Sequence, residues 1–171
     1  MFLFRKVLKP VLLALTFAVF VSGAGLAADS QEFAREPNYE LSRFPQDIEQ
    51  YHLAEGWASQ YGKGVMQRVI RVRQAGRTSR SLPMDLPQVD GYAAALSADA
   101  IGQIWYIQPE GHSHWERILI VDCGGADGGA SWMARNNILV EVDYETAERW
   151  ETLGRGKRVR VLAPPDGIRS F

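Results

Sequence analysis

The sequence predicts an all-β domain, and three observations support this. After Gly56 the chain consists of short apolar runs separated by Gly, Pro and Asp, which is typical of closely spaced strands joined by turns. Only one segment has a well-defined helical pattern. Seven runs have the length of a strand, a number that fits a small barrel or sandwich. They cover residues 57–61, 65–72, 92–96, 103–108, 117–121, 138–142 and 158–162.

The N-terminal segment has the composition of an export signal. Three basic residues lie among the first nine, an uncharged apolar run covers residues 11–21, and small residues follow as far as Ala28. This order is typical of a signal peptide over residues 1–28, with a preferred cut after Ala27. The apolar stretch also approaches the ~20 residues that a spanning helix requires, so an uncleaved membrane anchor is the alternative. Either reading predicts an exported protein that is periplasmic, at the cell surface or secreted.

The remaining chain has the size and charge of a single acidic domain. Cleavage would remove three of the 19 basic residues and none of the 20 acidic ones, leaving about 143 residues with a net charge of about −4. This balance argues against a nucleic-acid partner. Cys123 is the only cysteine, so no internal disulfide can form. Its side chain is expected to be a small buried apolar group, with a nucleophile or an intermolecular bridge as alternatives.

The exported part divides into three segments. Residues 29–55 are polar and are interpreted as an arm or spacer with a short helix near 46–52, residues 56–163 form the barrel-like domain, and residues 164–171 form a tail. Within the domain, residues 73–90 contain several Gly, Ser and Pro residues and are predicted to form a long surface loop.

The one predicted helix covers residues 144–153. Asp143 can accept hydrogen bonds from the backbone N–H groups of the first turn, and Glu145 favours the positive end of the helix. Apolar side chains follow at a spacing of three, and Gly154 ends the segment.

The order of segments in the second half carries a family resemblance. An apolar strand runs into Asp and Gly over residues 118–125, a second strand reaches an Asp over 138–143, and a short helix and a final strand follow. This order resembles the double-psi β-barrel of the rare lipoprotein A and expansin family, and residues 56–62 are similar to its opening strand. The resemblance implies a six-stranded double-psi β-barrel with one short helix, acting at the cell envelope on peptidoglycan or a similar glycan. The family's early acidic motif is missing, because residues 64–76 contain no carboxylate.

The resemblance places Asp122 at the position of the family's cleft aspartate. An acid at the end of an apolar strand can have its pKa raised by loss of solvent, which suits a proton donor in glycoside cleavage. The alternative is that Asp122 binds backbone N–H groups of the following glycine-rich loop. The loop lacks the Lys and the Ser or Thr of a phosphate-binding loop, so we expect it to form a groove wall.

Residues around this loop are candidates for ligand binding. Trp132 is the tryptophan most expected to be exposed, and the polar residues after it can bond to hydroxyl groups. Asp143 is better explained by helix capping, although the resemblance implies that it lines the groove. The candidate ligand-binding residues are Gly124, Gly125, Asp127, Trp132, Arg135, Asn136 and Asp143.

A metal site is not predicted. His112 and His114 alternate around Ser113, which would direct both rings to one side of a strand, but Pro109 and Gly111 indicate a solvated turn. Glu116 and Asp122 are the nearby acids that could complete such a site. No cofactor is expected.

The function predicted is polysaccharide binding in a groove, without catalysis. One alternative is a lytic transglycosylase-like or other glycoside-cleaving enzyme with Asp122 as general acid. The other is an envelope protein-docking module that uses the loop over residues 73–90. Membrane contact is expected only through an uncleaved N-terminal segment.

Overall fold

The computed structural model describes residues 44–124, 129–165 and 167, and these form a domain built around a six-stranded closed β-barrel. The predicted signal peptide or anchor, the arm before residue 44 and most of the C-terminal tail lie outside these residues. Among the described residues, no helix is long and apolar enough to cross a membrane.

Six strands and three α-helices make up the domain. The strands are β1 (His52–Gln60), β2 (Gly91–Ala95), β3 (Ile104–Pro109), β4 (Glu116–Cys123), β5 (Ile138–Val142) and β6 (Lys157–Ala163). The α-helices are α1 (Val65–Gln74), α2 (Gly129–Arg135) and α3 (Tyr144–Arg149). Two single-turn 3-10 helices cover Ile48–Gln50 and Ala98–Ala100.

The strand order around the barrel is β1-β5-β2-β4-β3-β6. β1 pairs with β5, and β2 with β4, in parallel, whereas the other four pairs are antiparallel. If β1, β2 and β3 are exchanged with β4, β5 and β6 in that order, every pair of neighbouring strands maps onto a pair of neighbouring strands. The topology therefore has an internal twofold pseudosymmetry. This pattern is compatible with a double-psi barrel, and the predicted six-stranded all-β barrel is confirmed.

Successive side chains of each strand point alternately into the barrel interior and towards its outer surface. In β4, Ile118 and Ile120 belong to the inner core, whereas Leu119 and Val121 belong to a second cluster that contains Met66 and Ile70 of α1. The helix therefore covers part of the outer surface beside β4.

The prediction of a strand over residues 65–72 is wrong, because these residues belong to α1. Val and Ile suit either structure locally, but Met66, Ile70 and Arg73 are the buried positions and follow a helical spacing. The other six predicted strands are all present. The described residues also contain a helix that was not predicted, α2, which follows the glycine-rich loop and buries the side chain of Met133.

The barrel begins earlier than predicted. β1 starts at His52, so the end of the predicted arm is part of the barrel, and the expected short helix is the 3-10 turn Ile48–Gln50. The ring of Phe44 lies 4.9 Å from that of Tyr106. The predicted cap is confirmed, since Asp143 accepts a hydrogen bond from the backbone N–H of Thr146, and α3 ends at Arg149.

Candidate functional site

A row of residues crosses four adjacent strands on the outer surface of the barrel. Ala94 of β2 pairs with Asp122 of β4 on one side and with Glu141 of β5 on the other, and Glu141 pairs with Ser59 of β1. Directly paired residues direct their side chains to the same face of a sheet. Two carboxylates from distant parts of the sequence therefore share one surface.

Asp122 is held as an ion pair. Its Oδ1 lies 2.6 Å from Nη2 of Arg73 on α1, and both side chains are largely buried. The hydroxyl of Tyr61 donates a hydrogen bond to Oδ2 at 3.2 Å. Burial and then the charge of Asp122 raise the pKa of Tyr61 above its usual range, so its hydroxyl remains a donor. An ion pair and a hydrogen bond therefore fix the orientation of the Asp122 carboxylate.

Glu141 has a different environment from Asp122. Burial raises the pKa of Glu141, and the charge of Asp122 acts in the same direction. A hydrogen bond of 3.0 Å from the Ser59 hydroxyl to Oε1 opposes this shift by stabilising the charged form. The arrangement favours retention of a proton on Glu141 and pairs it with a charged neighbour. We call Ser59, Tyr61, Arg73, Asp122 and Glu141 the Asp122–Glu141 cluster.

Trp57 lies on the same outer face as this cluster. It precedes Ser59 by two residues, and the intervening Ala58 belongs to the inner core. The register of β1 against β5 shifts between Trp57 and Ala58. Trp57 and Ser59 are nevertheless both more exposed than the buried Ala58, so both side chains face outwards. A Cβ atom at Gly156 would stand 3.2 Å from the Trp57 ring, so the glycine allows the indole to rest against backbone while 42% of the residue stays exposed.

A cavity adjoins the other side of the cluster. It has a volume of about 340 Å³ and lies against α1, with Asp122 and Arg73 in its wall beside Arg68, Thr78 and apolar residues of the helix. The ion pair therefore borders a mostly apolar recess.

Some of the predicted ligand-binding residues are exposed, and others lie outside the described residues. Trp132 is exposed at 44%, as predicted, and Arg135 and Asn136 are exposed beside it. The Asn136 side chain donates a hydrogen bond to the Trp132 carbonyl, just after the end of α2. Gly125 and Asp127 lie outside the described residues.

Two of the predicted residues have roles in the fold. Gly124 is buried, and a Cβ atom there would meet Sδ of Met133 at 2.5 Å. Asp143 is 2% exposed. Its two oxygens accept 2.6 Å hydrogen bonds from the backbone N–H groups of Thr146 and Tyr92. It therefore joins α3 to β2 and has no oxygen facing a surface ligand.

Sequence reasoning missed Glu141, Ser59, Tyr61 and Arg73. One signal was present for Glu141, the lone carboxylate in an apolar strand. Arg73 was placed in a loop because α1 was read as a strand. Cys123, also in this region, is a free, partly buried thiol at the end of β4.

A second polar group surrounds Glu116, the first residue of β4. This buried carboxylate accepts hydrogen bonds from Arg149 at 2.6 Å and from the Trp150 indole at 2.8 Å, and His114 lies 3.7 Å away. Burial lowers the pKa of the neighbouring His112.

Neither a protein-family model nor a curated protein sequence matches this chain.

Proposed function

We propose that the chain is an exported domain that binds polysaccharide at the cell envelope or outside the cell. The binding surface is the outer face of the barrel around Trp57 and the Asp122–Glu141 cluster. The observation that carries the proposal is the exposed Trp57 ring on the same face as Ser59, whose hydroxyl contacts Glu141.

This combination suits a sugar polymer. An aromatic face carries partial negative charge and attracts the C–H groups of a sugar ring. Hydroxyl groups around the ring edge can then bond to Ser59, Glu141 and Asp122. Trp132, exposed on α2, offers a second aromatic surface. The order of segments resembling the rare lipoprotein A and expansin family makes peptidoglycan the first ligand to test.

The test is co-sedimentation of the purified chain with insoluble peptidoglycan, with a soluble β-glucan as competitor. Trp57→Ala is expected to weaken binding about tenfold, or ~1.4 kcal/mol. The matched control is Met84→Ala, because Met84 is 75% exposed on the loop after α1. Equal retention of both variants, or no retention of the parent chain, would contradict the proposal.

Glycoside cleavage is the second candidate, favoured by the raised pKa of Glu141. The neutral Glu141 carboxyl would protonate the glycosidic oxygen as the bond to the anomeric carbon breaks. Asp122, the ion-pair partner of Arg73, would stabilise the positive charge that develops on the sugar. Water, or a hydroxyl of the substrate, would then attack the anomeric carbon and release a proton.

Product release separates this candidate from binding alone. If the chain cleaves glycan, soluble fragments appear with the parent chain, and Glu141→Gln abolishes them while retaining sedimentation. Asp122→Asn is expected to reduce release as well. If the parent chain binds without releasing fragments, the catalytic candidate is rejected and the binding proposal stands.

A further inference from the structure

The turn between β3 and β4 brings together three potential metal ligands. His112 and His114 lie in this turn and Glu116 follows as the first residue of β4. One ligand atom from each residue lies within 4.8 Å of the other two. Six residues of extended strand separate Glu116 from Asp122, or roughly 20 Å. The group is therefore distinct from the Asp122–Glu141 cluster.

We propose that His112, His114 and Glu116 bind a divalent transition-metal ion such as Zn²⁺. Two imidazoles and one carboxylate form a recognised three-residue ligand set for zinc. Ligands at about 2.0–2.1 Å around a tetrahedral ion are ~3.3 Å apart. His114 Nε2 and Glu116 Oε1 are already 3.7 Å apart, and a ligand atom of His112 lies within 4.8 Å of those of the other two residues.

The surroundings of Glu116 suit this role. Arg149 and Trp150 each donate to a different carboxylate oxygen, which fixes the orientation of the group. A carboxylate has about four lone-pair sites, so an oxygen that accepts one hydrogen bond can still bind a metal ion. The His114 side chain is about half exposed and already lies beside the Glu116 carboxylate.

A cavity adjoins His112, one of the three proposed ligands. It has a volume of about 370 Å³, and His112 lines it together with Glu55, Glu110, Arg158 and Arg160. Three protein ligands leave a fourth position for water or another small ligand. The wall carries charges of both signs, because the carboxylates of Glu55 and Glu110 match the guanidinium groups of Arg158 and Arg160.

The test is isothermal titration of the tag-free full chain with Zn²⁺. One ion per chain is expected to bind, and His112→Ala and His114→Ala are each expected to weaken affinity at least tenfold. His52→Ala is the matched control, because His52 is the third histidine and lies exposed at the start of β1. Thermal melting without metal checks that all three variants fold.

A second readout is the visible absorption of bound Co²⁺, which reports the ligand set directly. The parent chain and His52→Ala are expected to give the same spectrum, and the other two variants are expected to lose it. The absence of binding, or unchanged affinity in the double variant of His112 and His114, would overturn the proposal. Because these residues lie outside the Asp122–Glu141 cluster, the result is independent of glycan binding.

Discussion

Asp122 and Glu141 lie on opposite sides of strand β2, each paired with Ala94. Arg73 forms an ion pair with Asp122, whereas burial raises the pKa of Glu141. Neighbouring carboxyl groups whose environments favour different protonation states are typical of acid–base sites. The ion pair of Asp122 and the raised pKa of Glu141 can therefore be tested separately, by their effects on stability and on its pH dependence.

Replacing Arg73 with Ala is expected to destabilise the domain. The largely buried Asp122 carboxylate would lose its partner, which costs about 2–4 kcal/mol of unfolding free energy in a partly solvated pair. Urea denaturation measures the change, with Arg71→Ala on the exposed face of α1 as control. Asp122→Asn in the Arg73→Ala background is expected to recover part of the loss. Equal stabilities for the Arg73 and Arg71 variants would show that the ion pair is unimportant.

Glu141 is expected to make stability depend on pH. Its raised pKa means that the folded chain retains this proton at pH values where the unfolded chain has lost it. The stabilising contribution is therefore complete below a pH of about 4.5, the ordinary value, and is lost as pH rises through the raised pKa.

Glu141→Gln should remove this dependence, because the amide mimics the neutral acid. Denaturation at pH 4 and pH 7 is expected to show the variant gaining stability relative to the parent chain at the higher pH. Glu148→Gln, at an exposed position of α3, is the control and should follow the parent. Parallel pH profiles for the parent and the Glu141 variant would contradict the shift.

Asp143 is expected to be essential for the connection between α3 and β2. Asp143→Ala leaves the backbone N–H groups of Thr146 and Tyr92 without their acceptors, which costs about 2–4 kcal/mol. Asp85→Ala, in the exposed loop, should have little effect. Thermal melting compares the two variants, and similar melting temperatures would argue against the capping role.

Gly91 is expected to tolerate no side chain. A Cβ atom there would clash with Oγ1 of Thr146 in α3 and would stand 3.1 Å from Cδ1 of Ile118 in β4. Gly91→Ala should therefore destabilise the domain by about 1–3 kcal/mol through overpacking. Gly62→Ala is the control, because its nearest contact would be 3.7 Å from Val65. A small effect at Gly91 would mean that α3 can move away from β2 at little cost.

The sequence alone determined the features that depend on nearby residues. Strand periodicity located all six strands, and β5 agrees with its prediction at both ends. The Asp143 cap was predictable because the acceptor and the Thr146 N–H lie three residues apart. The exposure of Trp132 was also expected, since it follows a glycine-rich turn.

Only the tertiary structure decided which distant residues meet. Whether residues 65–72 formed a strand or a helix depended on packing against Leu119 and Val121 of β4, because their local preferences fit both. The pairing of Ala94 with both Asp122 and Glu141 depended on strand order, which periodicity leaves open. The ion pair of Asp122 depends on the position of Arg73, and the raised pKa of Glu141 depends on burial. Neither the position nor the burial is encoded in local spacing.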